Sequence, residues 1–217
     1  MKYKNKKLQI ACDGGAATGK STGAKMISKK YKLSFLSSGL LYRYAALLLI
    51  KNKPNDKIKF LKYKFKKLNY KKLEDMNLHT QKISQVSAEI AKIAKIRNIL
   101  KKFQLDFAKK NERCCIEGRD ISTKILPKSD VKFFFICDLN TASKRRYKEL
   151  KKTKLNVSLF EVKKALKLRN ISDKKRQHSP LKKHKNAIVV NTGKLNKRAM
   201  LKKMSMHVNT ILKKYGE

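Results

Sequence analysis

Gly14-Gly15-Ala16-Ala17-Thr18-Gly19-Lys20-Ser21-Thr22 follows directly on the apolar run Leu8 to Cys12 and fits the pattern G-x-x-x-x-G-K-[ST]. Two glycines let such a backbone curl so that its N–H groups face inward, the lysine sets a point charge on the outer phosphates, and the hydroxyl after it can hold Mg²⁺. The pattern carries this meaning only between a strand and a helix. Here Ile10-Ala11-Cys12-Asp13 precedes it, and Ala24, Met26, Ile27 and Tyr31 follow at helical spacing. The stretch therefore predicts an α/β fold with a nucleotide-phosphate loop at the carboxyl end of its first strand. Gly14 through Thr22 are the expected phosphate contacts, with Lys20 as a catalytic residue and Ser21 as the metal ligand.

Outward from this loop, apolar runs alternate with helix-period segments, which is the pattern of a parallel sheet wrapped by helices. The candidate strands are Leu8 to Cys12, Leu33 to Leu36, Cys114 to Glu117, Val131 to Cys137 and Ala187 to Asn191. Ile83, Val86, Ile90 and Ile93 recur at steps of 3, 4 and 3, as do Leu201, Met204, Val208 and Ile211, and both sets predict amphipathic helices. Residues 51–78 carry Pro54 and many lysines with poor periodicity, and read as a small excursion. Residues 153–180 form another polar segment that ends at Pro180. Neither reads as a separate domain, and the 217 residues are expected to form one.

The chain has 57 Lys+Arg against 15 Asp+Glu, a formal charge of +42. Such a balance ordinarily argues for a nucleic-acid or membrane-surface partner. Only nine of the basic residues are arginines, and the lysines are dispersed along nearly every segment rather than gathered on one arm or stripe. Compositional drift accounts for that distribution, so no specific nucleic-acid partner is expected. Cys12, Cys114, Cys115 and Cys137 form no C-x-x-C pair and sit in apolar segments, as in a reduced, cytoplasmic protein. The apolar run behind the basic N-terminus is too short for a signal peptide, and Tyr44 to Ile50 is too short to cross a bilayer. A monomer without membrane association is the expectation.

Three further clusters follow strands or occupy a helix face. Ser37-Ser38-Gly39-Leu40-Leu41-Tyr42-Arg43 follows the second candidate strand, where a hydroxyl and glycine also suit a simple helix cap. Glu117-Gly118-Arg119-Asp120 ends the third. In open α/β sheets ligands collect outside the carboxyl ends of strands, so these clusters and the loop point to one crevice. Arg169, Asp173 and Arg176 are spaced 4 and 3, which puts them on one helix face. A surface ion-pair helix has the same spacing, but arginine within a lysine-saturated chain favours bidentate phosphate recognition.

In the order and spacing of its motifs the chain resembles the bacterial cytidylate kinases, P-loop nucleoside monophosphate kinases. The resemblance runs from about Leu8 to Leu212. It rests on Asp13 to Thr22, Ser38 to Arg43, Thr80-Gln81, Ile96-Arg97, Gly118 to Asp120, Arg145 to Tyr147, Arg169 to Arg176, Ser179 to Leu181 and the strand end Asn191-Thr192. It implies a three-layer P-loop NTPase fold with a five-stranded parallel sheet, a short monophosphate-binding excursion and an Arg-bearing lid. The implied reaction is transfer of the γ-phosphoryl group of ATP to CMP or dCMP, with Mg²⁺ as cofactor. Gly14 to Thr22 would hold the ATP phosphates. Ser38, Gly39, Tyr42, Arg43, Arg97, Gly118, Arg119, Asp120, Arg169, Asp173 and Arg176 would receive CMP, with Arg97 and Asp120 facing the cytosine. Arg145, Arg169 and Arg176 would join Lys20 around the transferring group, and Glu117 or Asp13 would support the metal. The chain departs from the family pattern at Gly15, where proline is usual, at Asn191, where an acid is usual, and at Ala88, where a serine commonly helps read the base. Its excursion is also shorter and richer in lysine. Two other readings fit part of the pattern: a kinase for a different nucleoside monophosphate, and an RNA-associated P-loop protein.

Overall fold

The computed structural model describes residues 6–152 and 157–214. Residues 153–156, the start of the polar segment expected over 153–180, lie outside the described residues. The chain divides into two compact units, one of Met1–Phe35 and Glu112–Glu217, the other of Leu36–Asn111.

The first unit is built on β1 (Leu8–Gly14), α1 (Lys20–Tyr31), β3 (Arg113–Gly118), β4 (Val131–Ile136), α6 (Leu139–Lys151), α7 (Leu159–Lys175), β5 (Ile188–Asn191) and α8 (Lys197–Lys214). With β2 (Ser34–Ser37), inside which the boundary between the units falls, the strands form a five-stranded sheet in the order β2-β3-β1-β4-β5. The pairs β1–β3, β1–β4 and β4–β5 are parallel, with Cys12 opposite both Glu117 and Phe133. All five strands expected from the sequence are present.

Strand periodicity sorts the central strand into two faces. Leu8, Ile10 and Cys12 join Val131, Phe133, Phe135 and Val190 in a buried cluster closed by Ala24 and Ile27 of α1 and by Met200, Met204, Val208 and Leu212 of α8. The C-terminal helix is the one the sequence predicts: Met204 and Val208 of its stripe are fully buried, joined by Met200 and Leu212, while Leu201 and Ile211 are partly buried against the same cluster. On the opposite face, alternate residue Asp13 meets a single π-helical turn, Ile121–Ile125, that follows β3. A smaller cluster of Ala16, Ala142, Val162 and Leu166 joins the phosphate loop to α6 and α7.

The second unit contains α2 (Ser38–Asn52), α3 (Lys57–Lys66), a 3₁₀ turn (Tyr70–Leu73), α4 (Gln81–Ile90) and α5 (Ala94–Lys110). The excursion expected over 51–78 is thus substantially helical. Asp56 starts α3 by accepting from the amides of Ile58 and Lys59, at 2.9 Å each, and Leu61 and Phe65 supply its buried positions four residues apart. Phe65 packs edge-on against Tyr44 and Phe103, and Tyr70 against Phe107. The stripe Ile83, Val86, Ile90, Ile93 does not run along one helix. Tight bonds from Lys92 N to Glu89 O and from Ile93 N to Ile90 O end α4, and Ile93 becomes the 44% exposed N-cap of α5. No described helix is long and apolar enough to cross a membrane.

Candidate active site

The loop after β1 takes the shape its sequence predicts. Gly14 passes so close to β4 that a Cβ there would lie 2.6 Å from the carbonyl oxygen of Phe135, which glycine alone avoids. Gly19 has φ 75° and is the N-cap of α1, a left-handed conformation that glycine adopts without a steric penalty. The first-turn amides of α1 and its dipole then face the space over the loop, a natural place for anionic oxygens. Thr18 closes the curl by donating to the Gly15 carbonyl at 3.0 Å.

Lys20 and Ser21 both reach Glu117 at the end of β3. The Lys20 ammonium is ion-paired with Glu117 Oε2, and Ser21 Oγ donates to Oε1 at 3.1 Å. Burial pulls the Lys20 ammonium below its usual range, against the upward pull of Glu117. Asp13 plays a different part, because its two oxygens accept from Ile121 N at 2.8 Å, Ser122 N at 2.7 Å and Ser122 Oγ at 2.5 Å. Burial raises its pKa despite those bonds. Of the two carboxylates expected to support a metal, Glu117 is therefore the one bonded to Ser21. Mg²⁺ commonly takes one or two protein oxygens and completes its shell with phosphate and water. The hydroxyl of Ser21 and the carboxylate of Glu117 are hard oxygen donors beside the phosphate loop, so the residues fit that ion.

Beyond Glu117 the arginines gather. Arg119 Nε donates to Asp173 Oδ2 at 2.8 Å, Arg176 lies 3.7 Å from Asp173 Oδ1, and a second nitrogen of Arg176 lies 3.9 Å from Asp120. Burial pulls the Arg119 guanidinium down, but Asp173 together with Glu117 and Asp13 outweighs it and holds it above its ordinary value. Burial likewise pushes Asp173 up, while Arg119, Arg169 and Arg176 together hold it below the usual carboxylate range. Arg169 has the opposite balance. Burial and neighbouring Arg119 pull it down to about 10, and its buried Nε has no hydrogen-bond partner among the described residues. A guanidinium in that position gains directly from an oxyanion.

Arg145 is placed by other contacts. Two of its nitrogens donate to Thr192 Oγ1 and to the Thr192 carbonyl, each at 2.8 Å, and Thr192 Oγ1 donates in turn to the Thr18 carbonyl at 2.8 Å. The guanidinium thus braces the phosphate loop through the end of β5.

In the second unit, Ser37 caps α2 through Leu40 N, which orients the turn bearing Ser38, Gly39, Tyr42 and Arg43. Arg43 is buried and donates to the Leu78 carbonyl and to Ser84 Oγ, 2.8 Å each. Arg97 donates to the Ala91 carbonyl and lies 5.6 Å from the Tyr42 ring centroid. Ser84 donates its proton to Thr80 O and Ser87 donates its own to Ser84 O.

Sequence reading missed Asn170, Ser122 and the role of Thr192. Asn170 stands beside Arg169 in the arginine motif and Thr192 closes the last strand, so position pointed to both. Their bonds to Ala16 and Thr18, however, span 154 and 174 residues, which no local pattern encodes.

The Cytidylate kinase family model matches residues 10–210. The chain is 35% identical over 210 residues to a cytidylate kinase of Bartonella quintana, covering 96% of this chain and 97% of that protein. It is 36% identical over 198 residues to a cytidylate kinase of Thermosipho melanesiensis, covering 87% and 90%. Among solved structures, an uncharacterized protein from Eubacterium ventriosum shares the fold with a TM-score of 0.57 at 15% identity, over 94% of this chain and 99% of that one.

Proposed function

The chain belongs to the cytidylate kinase family and phosphorylates CMP with ATP, and from that premise we propose how its residues divide the reaction. The loop Gly14 to Thr22 holds the ATP phosphates. Ser38, Gly39, Tyr42, Arg43, Arg97, Gly118, Arg119, Asp120, Arg169, Asp173 and Arg176 receive CMP, and Lys20, Arg145, Arg169 and Arg176 stabilise the transferring phosphoryl group. The observation that carries this reading is the buried Arg169 Nε, which has no partner among the described residues, beside the Arg119–Asp173–Arg176 cluster. Such a surplus of guanidinium groups suits the phosphates of two nucleotides.

No general base is needed. The nucleophile is the phosphate of CMP, whose second pKa of about 6 leaves it largely ionised at neutral pH. The protein supplies in-line positioning and neutralises charge on the equatorial oxygens. Loop amides and Lys20 act on the ATP side, and the arginines act on the acceptor side and the group in flight. Ser21, with Glu117 bonded behind it, would hold Mg²⁺, which when bound would supply positive charge to the phosphoryl oxygens. Residues 51–78 belong to the monophosphate-binding part and residues 153–180 to the lid of a single kinase domain. The enzyme works as a cytoplasmic monomer, accepts dCMP, and has no nucleic-acid partner.

A coupled ADP-release assay with CMP, dCMP, UMP, AMP and GMP tests the proposal. CMP and dCMP are expected to be the best acceptors. Preference for a purine monophosphate, or dCMP rejected while CMP turns over, would overturn the corresponding part.

A further inference from the structure

The phosphate loop is held from outside by the helix that carries the arginines. Asn170 Oδ1, on α7, accepts from the Ala16 amide at 3.3 Å. A Cβ on Gly15 would stand 3.1 Å from that same oxygen and 3.7 Å from Asn170 Cγ, so any side chain there would crowd Asn170 and push its oxygen back by a few tenths of an ångström. Val162 and Leu166 of α7 bury Ala16 in the small cluster they share with Ala142. Positions 162, 166, 169, 170 and 173 follow one another along one face of a helix. The face is apolar where it meets Ala16, turns polar at Asn170, and ends at Asp173, which grips Arg119.

We infer that Asn170 is a positioning residue for phosphoryl transfer, tying the ATP-phosphate loop to the arginine-bearing helix so that donor and acceptor phosphates are held in one frame. The inference rests on the division of residues proposed above. Asn170 acts through Ala16 and touches no substrate in this assignment. Its chemistry suits the task, because a neutral amide oxygen accepts the loop N–H without setting a negative charge beside a polyphosphate. An aspartate would make the same bond and repel ATP.

Initial rates with ATP and CMP varied in turn, on the full chain, test this with Asn170→Ala, Asn170→Asp, Gly15→Ala and the double variant Gly15→Ala/Asn170→Ala. Losing the tie is expected to lower kcat about ten-fold in Asn170→Ala, within the range that small misplacements of reacting groups produce. KM for CMP should hold within about two-fold, since the acceptor contacts are untouched. Asn170→Asp is expected to keep most of kcat but raise KM for ATP about ten-fold, through charge repulsion. The φ of Gly15 lies outside the left-handed region, so alanine fits the backbone there and acts by displacing the Asn170 side chain. Its cost should therefore nearly vanish in the Asn170→Ala background, as expected for two changes that break one interaction. Unchanged kinetics in Asn170→Ala, equal kcat losses in the alanine and aspartate variants, or additive losses in the double variant would each overturn the inference. A wild-type enzyme inactive on CMP would instead overturn the functional reading on which it rests.

Discussion

The arginines of the two units are secured by different chemistry. At the end of β3 in the first unit, Arg119 and Arg176 share the carboxylate of Asp173, and Arg169 adds a third positive charge to the group. In the second unit, Arg43 donates to a carbonyl and a serine hydroxyl, and Arg97 to a carbonyl with the face of Tyr42 beside it. The first arrangement depends on a titrating group. The contacts of the second set, to the Leu78 and Ala91 carbonyls and to Ser84 Oγ, are to neutral groups that do not titrate between pH 5 and 8.

The largest effect is expected on the donor side of the first unit. Lys20→Ala should reduce turnover on the order of a thousand-fold, the scale of removing a principal charge from a developing transition state. Circular dichroism should still show a folded protein; substantial remaining ADP release would mean that the loop lysine is not part of the chemistry. Next comes Arg119→Ala, which should lower kcat/KM for CMP by about a hundred-fold and leave ATP binding within about three-fold. Equal loss of both affinities in a folded variant would break the assignment of this arginine to the acceptor side.

Asp173→Asn probes the titrating region directly. The folded Asp173 has a depressed pKa, so its stabilisation is fully present above the ordinary carboxylate range of about 4 and is lost as pH falls through the depressed value. Chemical denaturation should find the variant less stable by roughly 2–4 kcal/mol at pH 7, since a partly buried charge cluster loses its counter-ion. The gap should narrow below about pH 4. A gap that stays constant into acid would falsify the electrostatic account. The smallest effect belongs to the neutral side: Ser84→Ala should cost about 1 kcal/mol, the scale of one hydrogen bond, with no change between pH 5 and 8. A marked pH dependence there would erase the contrast between the two regions.

The site was unevenly legible in the sequence, for physical reasons. The phosphate loop was readable because its shape arises from a few adjacent residues, with Gly14 avoiding Phe135 and Gly19 adopting a left-handed turn. The β1, β3 and β4 strands read clearly because burial on both faces makes them predominantly apolar, even with Gln9 inside β1 and Lys132 inside β4. α3 was obscured because its lysines hide a short repeat, Leu61 and Phe65, while Asp56 supplies the start signal. Ile93 misled because a sequence repeat continues through a break that only the Lys92 and Ile93 amides reveal. Asp13 looked like a metal-supporting acid by position, yet the strand turns it to the other face, where Ser122 and Ile121 take both its oxygens.

The sequence by itself determined the chemistry: a phosphate-binding loop between strand and helix, scarce arginines at the carboxyl ends of strands, and a motif order shared with the cytidylate kinases. These are local signals, set by backbone sterics, periodicity and the few side chains able to meet a phosphate. Tertiary structure alone decided the partnerships. Arg119 meets Asp173 across 54 residues, Lys20 meets Glu117 across 97, and Asn170 meets the amide of Ala16 across 154. Such pairs form only when the parallel register of β1 with β3 and the packing of α7 on the loop bring distant chain together. Burial then fixes the charge each group carries, because the cost of an unpaired ion depends on surroundings that a linear sequence does not specify.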